Sequence, residues 1–190
     1  MADVGANIGL YTRFLAKLVG GSGHVYAFEP SPVNYARMTR QVAKLSNVTT
    51  VQSAVGEHAG TTSLFLSPDF NIDHRTFDTH EGRESIELPV ITLDDYFRDR
   101  RVDFIKVDVQ GAEHAVLRGA ARLIQDNPAM RLLIEFWPYG LRQAGTEPSA
   151  LLDFIKSLGL DVSRVGADDD GSLLEATRRT DYCNLLLSKA

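Results

Sequence analysis

The sequence predicts an α/β fold: a mostly parallel sheet with helices on both faces, in one domain spanning residues 1–190. Short β-type apolar runs alternate with longer stretches of helical periodicity, and that alternation builds parallel sheets joined by helical crossovers. A chain of 190 residues suffices for one core and is short for two. Its 44% hydrophobic and 24% charged residues are those of an ordinary globular protein. No internal repeat or low-complexity segment interrupts it.

The elements follow in order. Residues Ala2–Val4 form a strand cut short by the start of the chain, so the first strand is expected to be truncated. Residues 10–18 carry a helical stripe of Leu10, Phe14, Leu15 and Leu18, ended by Gly20, Gly21 and Gly23. Residues 24–28 read as a strand. Ser31 and Pro32 then open a helix to about residue 45, with serine as N-cap and proline at the first helical position. Residues 48–52, 62–66 and 86–91 read as strands, the last two separated by a polar loop. Thr92 caps a short helical turn. Residues 103–107 form a buried strand followed by a helix from about Glu113, and residues 131–136 another buried strand. Residues 149–158 are helical. The runs 160–165 and 182–188 are strands expected to pair antiparallel, because the polar stretch between them is too short for a helical crossover. Within that stretch Asp168-Asp169-Asp170-Gly171 reads as a solvated turn.

Composition narrows the function. The net charge of −5 and pI of about 5.5 argue against a nucleic-acid backbone as the main partner. Cys183 is the only cysteine, so no internal disulfide forms, and beside Leu185–Leu187 it reads as a small core residue. No run of about 18 apolar residues offers a membrane span. No secretory signal opens the chain, so a cytoplasmic location is expected. The composition does not address oligomeric state.

Two blocks carry chemistry. The first is Asp3-Val4-Gly5-Ala6-Asn7-Ile8-Gly9 at a strand-to-helix junction, where glycines let a ligand approach the backbone and a helix N-terminus offers free N–H groups. Asp3 stands two residues before Gly5, and Glu29 ends the second strand, 20 residues after Gly9. An acid at that place accepts hydrogen bonds from ribose hydroxyls, which points to an adenosine-containing cofactor. Asn7 occupies the place where a dinucleotide loop has its middle glycine. Asp3 would repel a pyrophosphate and would suit the ammonium of a methionine moiety. A tight turn without a ligand and a nicotinamide site are the alternatives. The second block runs from Phe104 to Glu113. Asp108 lies at the carboxyl end of a buried strand, where ligands of such sheets bind, and Glu135 ends the next one. Lys106, inside an apolar strand, either pairs with an acid or points out at a sheet edge.

The blocks DVGANIGLYT, VYAFEPSP, LPVITLDDY, FIKVDVQGAEHAVLRGA and LLIEFWP, in this order, resemble the FkbM family of methyltransferases. The resemblance implies a Rossmann-like class I methyltransferase fold, with a sheet of the seven-stranded type and an antiparallel last strand. It implies S-adenosylmethionine as methyl donor and O-methylation of a hydroxyl on a natural product, sugar or lipid-linked acceptor. Asp3, Gly5, Ala6, Asn7 and Gly9 then match the motif for the methionine end. Glu29 matches the ribose acid, and Ser53 and Ala54 match the region lining adenine. Family members carry further material before the glycine motif, whereas Met1 and Ala2 alone precede Asp3 here. A catalytically silent S-adenosylmethionine-binding domain is therefore the alternative, with a nicotinamide-dependent oxidoreductase behind it.

A hydroxyl acceptor benefits from a general base, and the candidates are Asp108, Glu135 and His74. Asp108 also borders the expected cofactor. Its other reading is a helix N-terminal acid, and that of Glu135 is a partner for Lys106 or Arg131. His74 lies in a polar loop over residues 67–84, long enough to be a mobile lid, and Asp73-His74-Arg75 resembles a stretch in some relatives. No metal is expected, because the spacing of these groups fits no ligand signature. His24, His58, His80 and His114 read as surface residues.

Overall fold

The protein is described here by a computed structural model covering residues 1–67, 74–78, 82–166 and 182–189. Asp73, His80 and the turn at 168–171 lie outside the described residues.

The elements are β1 (Ala2–Val4), α1 (Leu10–Val19), β2 (Val25–Phe28), α2 (Pro32–Val42), β3 (Val48–Val51), β4 (Ala54–Val55), β5 (Gly60–Phe65), β6 (Ser85–Ile91), α3 (Leu93–Tyr96), β7 (Phe104–Val107), α4 (Glu113–Arg118), α5 (Ala121–Asp126), β8 (Arg131–Phe136), α6 (Pro138–Gln143), α7 (Pro148–Ser157), β9 (Leu160–Arg164) and β10 (Cys183–Lys189). The main sheet has seven strands in the order β3-β2-β1-β7-β8-β10-β9. Strands β1, β2, β3, β7 and β8 pair in parallel, and β10 runs antiparallel to both β8 and β9. The expected parallel sheet and its antiparallel last strand are both present. Caps act where the residue types predict: Ser31 Oγ accepts from Asn34 N with Pro32 following, and Thr92 Oγ1 accepts from Asp95 N.

Side chains alternate across each strand, and the alternation assigns the helical layers. Ala2, Val4, Phe28, Ile105, Val107, Leu132 and Ile134 face the main core with residues of α3, α4, α5 and α7. On the opposite face Val25 packs against Leu15 and Ala16 of α1, and Ala27 against Met38 of α2. Helices therefore cover both faces. Cys183 packs partly buried against the main core.

Three features differ from the sequence reading. The runs near residues 62–66 and 86–91 do not join the main sheet. With β4, a strand too short to show a periodicity, they form a separate sheet of order β4-β6-β5 around Ala54, Leu64 and Leu88. The helix expected from Glu113 is broken after Arg118, because Gly119 approaches Gly56; a Cβ on Gly119 would lie 2.0 Å from Gly56 O. The stripe on α1 is also rotated. Leu15 is buried, but Leu10, Phe14 and Leu18 are exposed, and the buried face carries Thr12 and Ala16. Thr12 is drawn inward by Asp3, whose Oδ2 accepts from Thr12 Oγ1 at 2.7 Å inside the protein. Among the described residues no helix is long and apolar enough to cross a membrane.

Gly5 is required by the fold itself. Its φ is +78°, and a Cβ there would lie 1.8 Å from the carbonyl oxygen of Asp108. Gly5→Ala should therefore destabilise the protein by roughly 2–4 kcal/mol, combining left-handed strain with overpacking. Gly21→Ala, where a Cβ meets nothing within 4 Å, should leave the melting temperature within a degree or two. Thermal denaturation of the two variants checks the contrast.

Candidate active site

The site is built by three parallel strands that end level with one another. Val4 is in register with Phe28 on one side and with Val107 on the other. Gly5 N and Ala6 N both donate to Phe28 O, and Asp108 N donates to Val4 O. These bonds bring the turns that follow the three strands together at one edge of the sheet. A cavity of about 770 Å³ opens above them, with Glu135 and Trp137 at the end of β8 completing its wall. That volume lies in the range of small-molecule sites.

Glu29 lies on the wall shared with the glycine turn. Its Oε2 accepts from Asn7 N at 2.8 Å and its Oε1 from Ser31 N at 2.9 Å. Burial pushes its pKa up to about 7, against the pull of those hydrogen bonds and one from Asn34. Asn7 holds the turn with φ 51°, a conformation asparagine tolerates, while its Oδ1 accepts from Ile8 N. Gly5, Ala6, Asn7, Glu29, Ser53, Ala54 and Asp108, seven of the residues expected at the cofactor, all line the cavity. The Ser53 hydroxyl donates to backbone carbonyl oxygen and lies 2.9 Å from Pro89 O, which seats it against β6.

Asp3 and Gly9 stand apart from the cavity wall. Gly9 is the N-cap of α1, with φ 86° and a Met38 carbon 3.0 Å from the place of its Cβ. Asp3 is fully buried beneath the floor, bonded to Thr12 and 3.4 Å from the Lys106 ammonium. Lys106 lies equally 3.4 Å from Asp108 and beneath the Tyr11 ring. Of the two readings of Lys106, pairing with acids is the one observed, because β7 is a central strand with no open edge. Burial alone would lower the ammonium's pKa, but Asp3 and Asp108 together hold it above its ordinary value.

The candidate bases His74, Asp108 and Glu135 all line the same cavity. Gln110 Nε2 donates to Asp108 Oδ1 and to Glu135 Oε2, both at 2.9 Å. Burial, then the charges of Asp108 and Glu113, push the Glu135 carboxyl up to about 7. His74 Nδ1 accepts from Ser67 N. Next to it, the largely buried Arg75 bonds to Phe65 through its backbone and lays its guanidinium 5.1 Å from the centre of the Trp137 ring. Among the described residues no group of three His, Cys, Asp or Glu side chains is arranged to hold a metal ion.

The sequence reading passed over Gln110, Arg75 and Trp137. Trp137 stands two residues after Glu135, and Gln110 precedes a glycine in a strand-to-helix turn; both positions were legible as cavity neighbours. The reach of Gln110 to two acids was not.

The pattern of the FkbM methyltransferase domain matches residues 3–162. The chain belongs to the FkbM methyltransferase family. It is 27% identical to methyltransferase sdnD of Sordaria araneosa, over 94% of this chain and 81% of that protein. It is 26% identical to the hexuronic acid methyltransferase AglP of Haloferax volcanii, over 88% of this chain and 66% of that protein. A crystal structure of methyltransferase FkbM from Methylobacillus flagellatus shares the fold, with TM-score 0.60 and 21% identity. That alignment covers 98% of this chain and 42% of the other.

For this FkbM domain, buried Glu29 and Glu113 and half-buried Glu135 shape the response to pH. Glu29, Glu113 and Glu135 are each raised from 4.5 to about 7, mainly by burial. An acid whose pKa is higher in the folded state binds its proton more tightly there. Its contribution to stability is complete below the unfolded pKa and is lost as pH rises through the folded one. The melting temperature of the ligand-free protein should therefore fall as pH rises from about 5 to 8. Glu113→Gln, which keeps an oxygen for Val109 N and Gly111 N, should flatten part of that slope in a calorimetric pH series.

Proposed function

We propose that this chain is an S-adenosylmethionine-dependent methyltransferase acting on a hydroxyl oxygen of a sugar or other small acceptor, with Glu135 as general base. The observation that carries it is one cavity with two chemically distinct walls. The glycine turn and Glu29 form one, Glu135 and Trp137 the other, and Asp108 lies between them.

The first wall fits the methyl donor. Each Glu29 oxygen accepts one backbone N–H and the Asn34 side chain adds a third donor, so of about four acceptor sites on the carboxylate one stays open. A ribose hydroxyl would take it and a vicinal one would take the place of Asn34, stabilising the charge that burial disfavours. Ser53, Ala54 and Val55 line the cavity beyond Glu29 and would face the base. When bound, S-adenosylmethionine would supply an activated methyl group, whose bond to sulfur breaks as the acceptor oxygen bonds to its carbon in line, leaving S-adenosylhomocysteine.

The second wall fits the acceptor. Trp137 offers an apolar face of the kind on which sugar rings rest, and Arg75 braces it. AglP, named a hexuronic acid methyltransferase, supports a sugar-type acceptor. A carboxyl with a pKa near 7 is well matched to take a hydroxyl proton at neutral pH. Most of the remaining acceleration would come from holding the acceptor oxygen in line.

Titration calorimetry with S-adenosylhomocysteine and an acceptor screen over sugars and sugar acids test the two walls separately. Glu29→Ala should weaken S-adenosylhomocysteine binding by about 1.5–3 kcal/mol, the range for hydrogen bonds to a charged group. It should also lower the melting temperature, since Asn7 N and Ser31 N lose their acceptor. Wild-type affinity should weaken as pH falls below about 7, because ribose selects the ionised Glu29. Glu135→Gln should cut turnover by roughly 10²–10⁴ while leaving S-adenosylhomocysteine affinity near wild type. Binding of NAD in preference to S-adenosylhomocysteine would contradict the proposal.

A further inference from the structure

We propose that Gln110 is a positioning residue of this site: its carboxamide holds the Asp108 and Glu135 carboxylates in one arrangement at the acceptor end of the cavity. The role of Glu135 as base rests on the methyl-transfer reading above; the hold of Gln110 upon it rests on distances alone.

Strand register makes the two acids neighbours. Val107 of β7 is level with Ile134 of β8, so Asp108 and Glu135, one residue further along each strand, stand side by side. Two carboxylates so placed repel, and without a donor between them they splay apart or share a proton. The Gln110 amide nitrogen carries two hydrogens, and it lies 2.9 Å from one oxygen of each acid. Both hydrogens are used, one per carboxylate.

The backbone shows that this placement is enforced. Gln110 has φ 55°, in the left-handed region, and Gly111 follows with φ 106°. A residue other than glycine held there costs of order 1–3 kcal/mol, and such strain persists only where the surroundings impose it. Here Glu113 imposes it. Its Oε1 accepts from Val109 N and Gly111 N, on either side of Gln110. Gly111 is pressed against Gly140, whose carbonyl oxygen would lie 2.5 Å from an added Cβ. The turn is locked from beneath, and the side chain projects across to β8. Glycine would relax the turn but offers no donor, and asparagine is one methylene shorter than the glutamine that spans both acids.

The groups acting on Glu135 are Lys106 from β7, Asp108 just beyond it, Glu113 from α4, and Gln110 itself. Its register partner on β10 is the uncharged Asn184, and His74 and Arg75 share the cavity. Burial and the two acids favour the neutral carboxyl, whereas Gln110 and Lys106 favour the carboxylate. Removing the carboxamide therefore moves the Glu135 titration upward.

The test is a carbon-13 NMR titration of the full chain labelled at glutamate and aspartate carboxyls, comparing wild type with Gln110→Leu. The Glu135 midpoint should rise by about one pH unit, the size of a lost charge-assisted hydrogen bond. Should Gln110→Leu not fold, Gln110→Gly removes the same donor with less backbone strain and must give the same shift. With a turnover assay, the acidic limb of the pH profile should move with the NMR midpoint, and kcat should fall with KM little changed. A folded variant in which Glu135 titrates as in wild type overturns the proposal, whatever its melting temperature. Full turnover by Glu135→Gln would remove the base assignment and leave the carboxamide clamp standing, so the two failures are distinguishable.

Discussion

The buried ammonium of Lys106 is the joint on which the centre of the sheet depends. It lies 3.4 Å from the carboxylates of Asp3 on β1 and Asp108 beyond β7. Asp3 in turn fixes Thr12 and with it the rotation of α1. A charge fully removed from water is tolerable only when paired and hydrogen-bonded. Asp3 cannot be buried without Lys106, and Lys106 cannot be buried without both acids. Adjacent strands, the first helix and one wall of the cavity are thus coupled by a single buried network.

That network sets the electrostatics of the cavity above it. Lys106 pairs with Asp3 and Asp108, and above that group Glu29 and Glu135 lie at opposite walls, each raised to about 7. They differ in what they touch. Glu29 is tied to backbone N–H groups of the turn it faces, which suits holding a ligand. Glu135 is tied to a side chain, Gln110, and under the proposed function that fixed placement suits taking a proton from the acceptor. Under the proposed function, two similar acids at the carboxyl end of these strands take separate roles, set by their partners.

Much of this was legible in the sequence, and the misses have physical causes. The strand–helix alternation gave the parallel sheet, and the Ser31-Pro32 and Thr92 caps gave helix starts, because these depend on local chemistry alone. The glycine turn was located correctly, but Gly5 answers first to the Asp108 carbonyl pressed against it, a contact between distant parts of the chain. The sequence suits Asp3 to a cofactor ammonium; its burial and its contacts with Thr12 and Lys106 come from residues distant in the chain and could not be read there. The α1 stripe of Leu10, Phe14 and Leu18 followed helical periodicity, yet a buried hydrogen bond from Thr12 overrode it. The small sheet of β4, β5 and β6 escaped because β4 spans only Ala54–Val55. Gln110 escaped because its significance lies in register between β7 and β8, which no local pattern encodes.

The central claim is that the edge where β1, β2 and β7 end together binds S-adenosylmethionine through Glu29 and the glycine turn, with Glu135 facing the acceptor. A crystal structure of the full chain with S-adenosylhomocysteine tests it most directly. The account predicts ribose hydroxyls on the Glu29 carboxylate and the methionine portion beside Gly5–Asn7, with the sulfur toward the space between Asp108 and Glu135. A ligand seated elsewhere, or one whose ribose leaves Glu29 untouched, would contradict it.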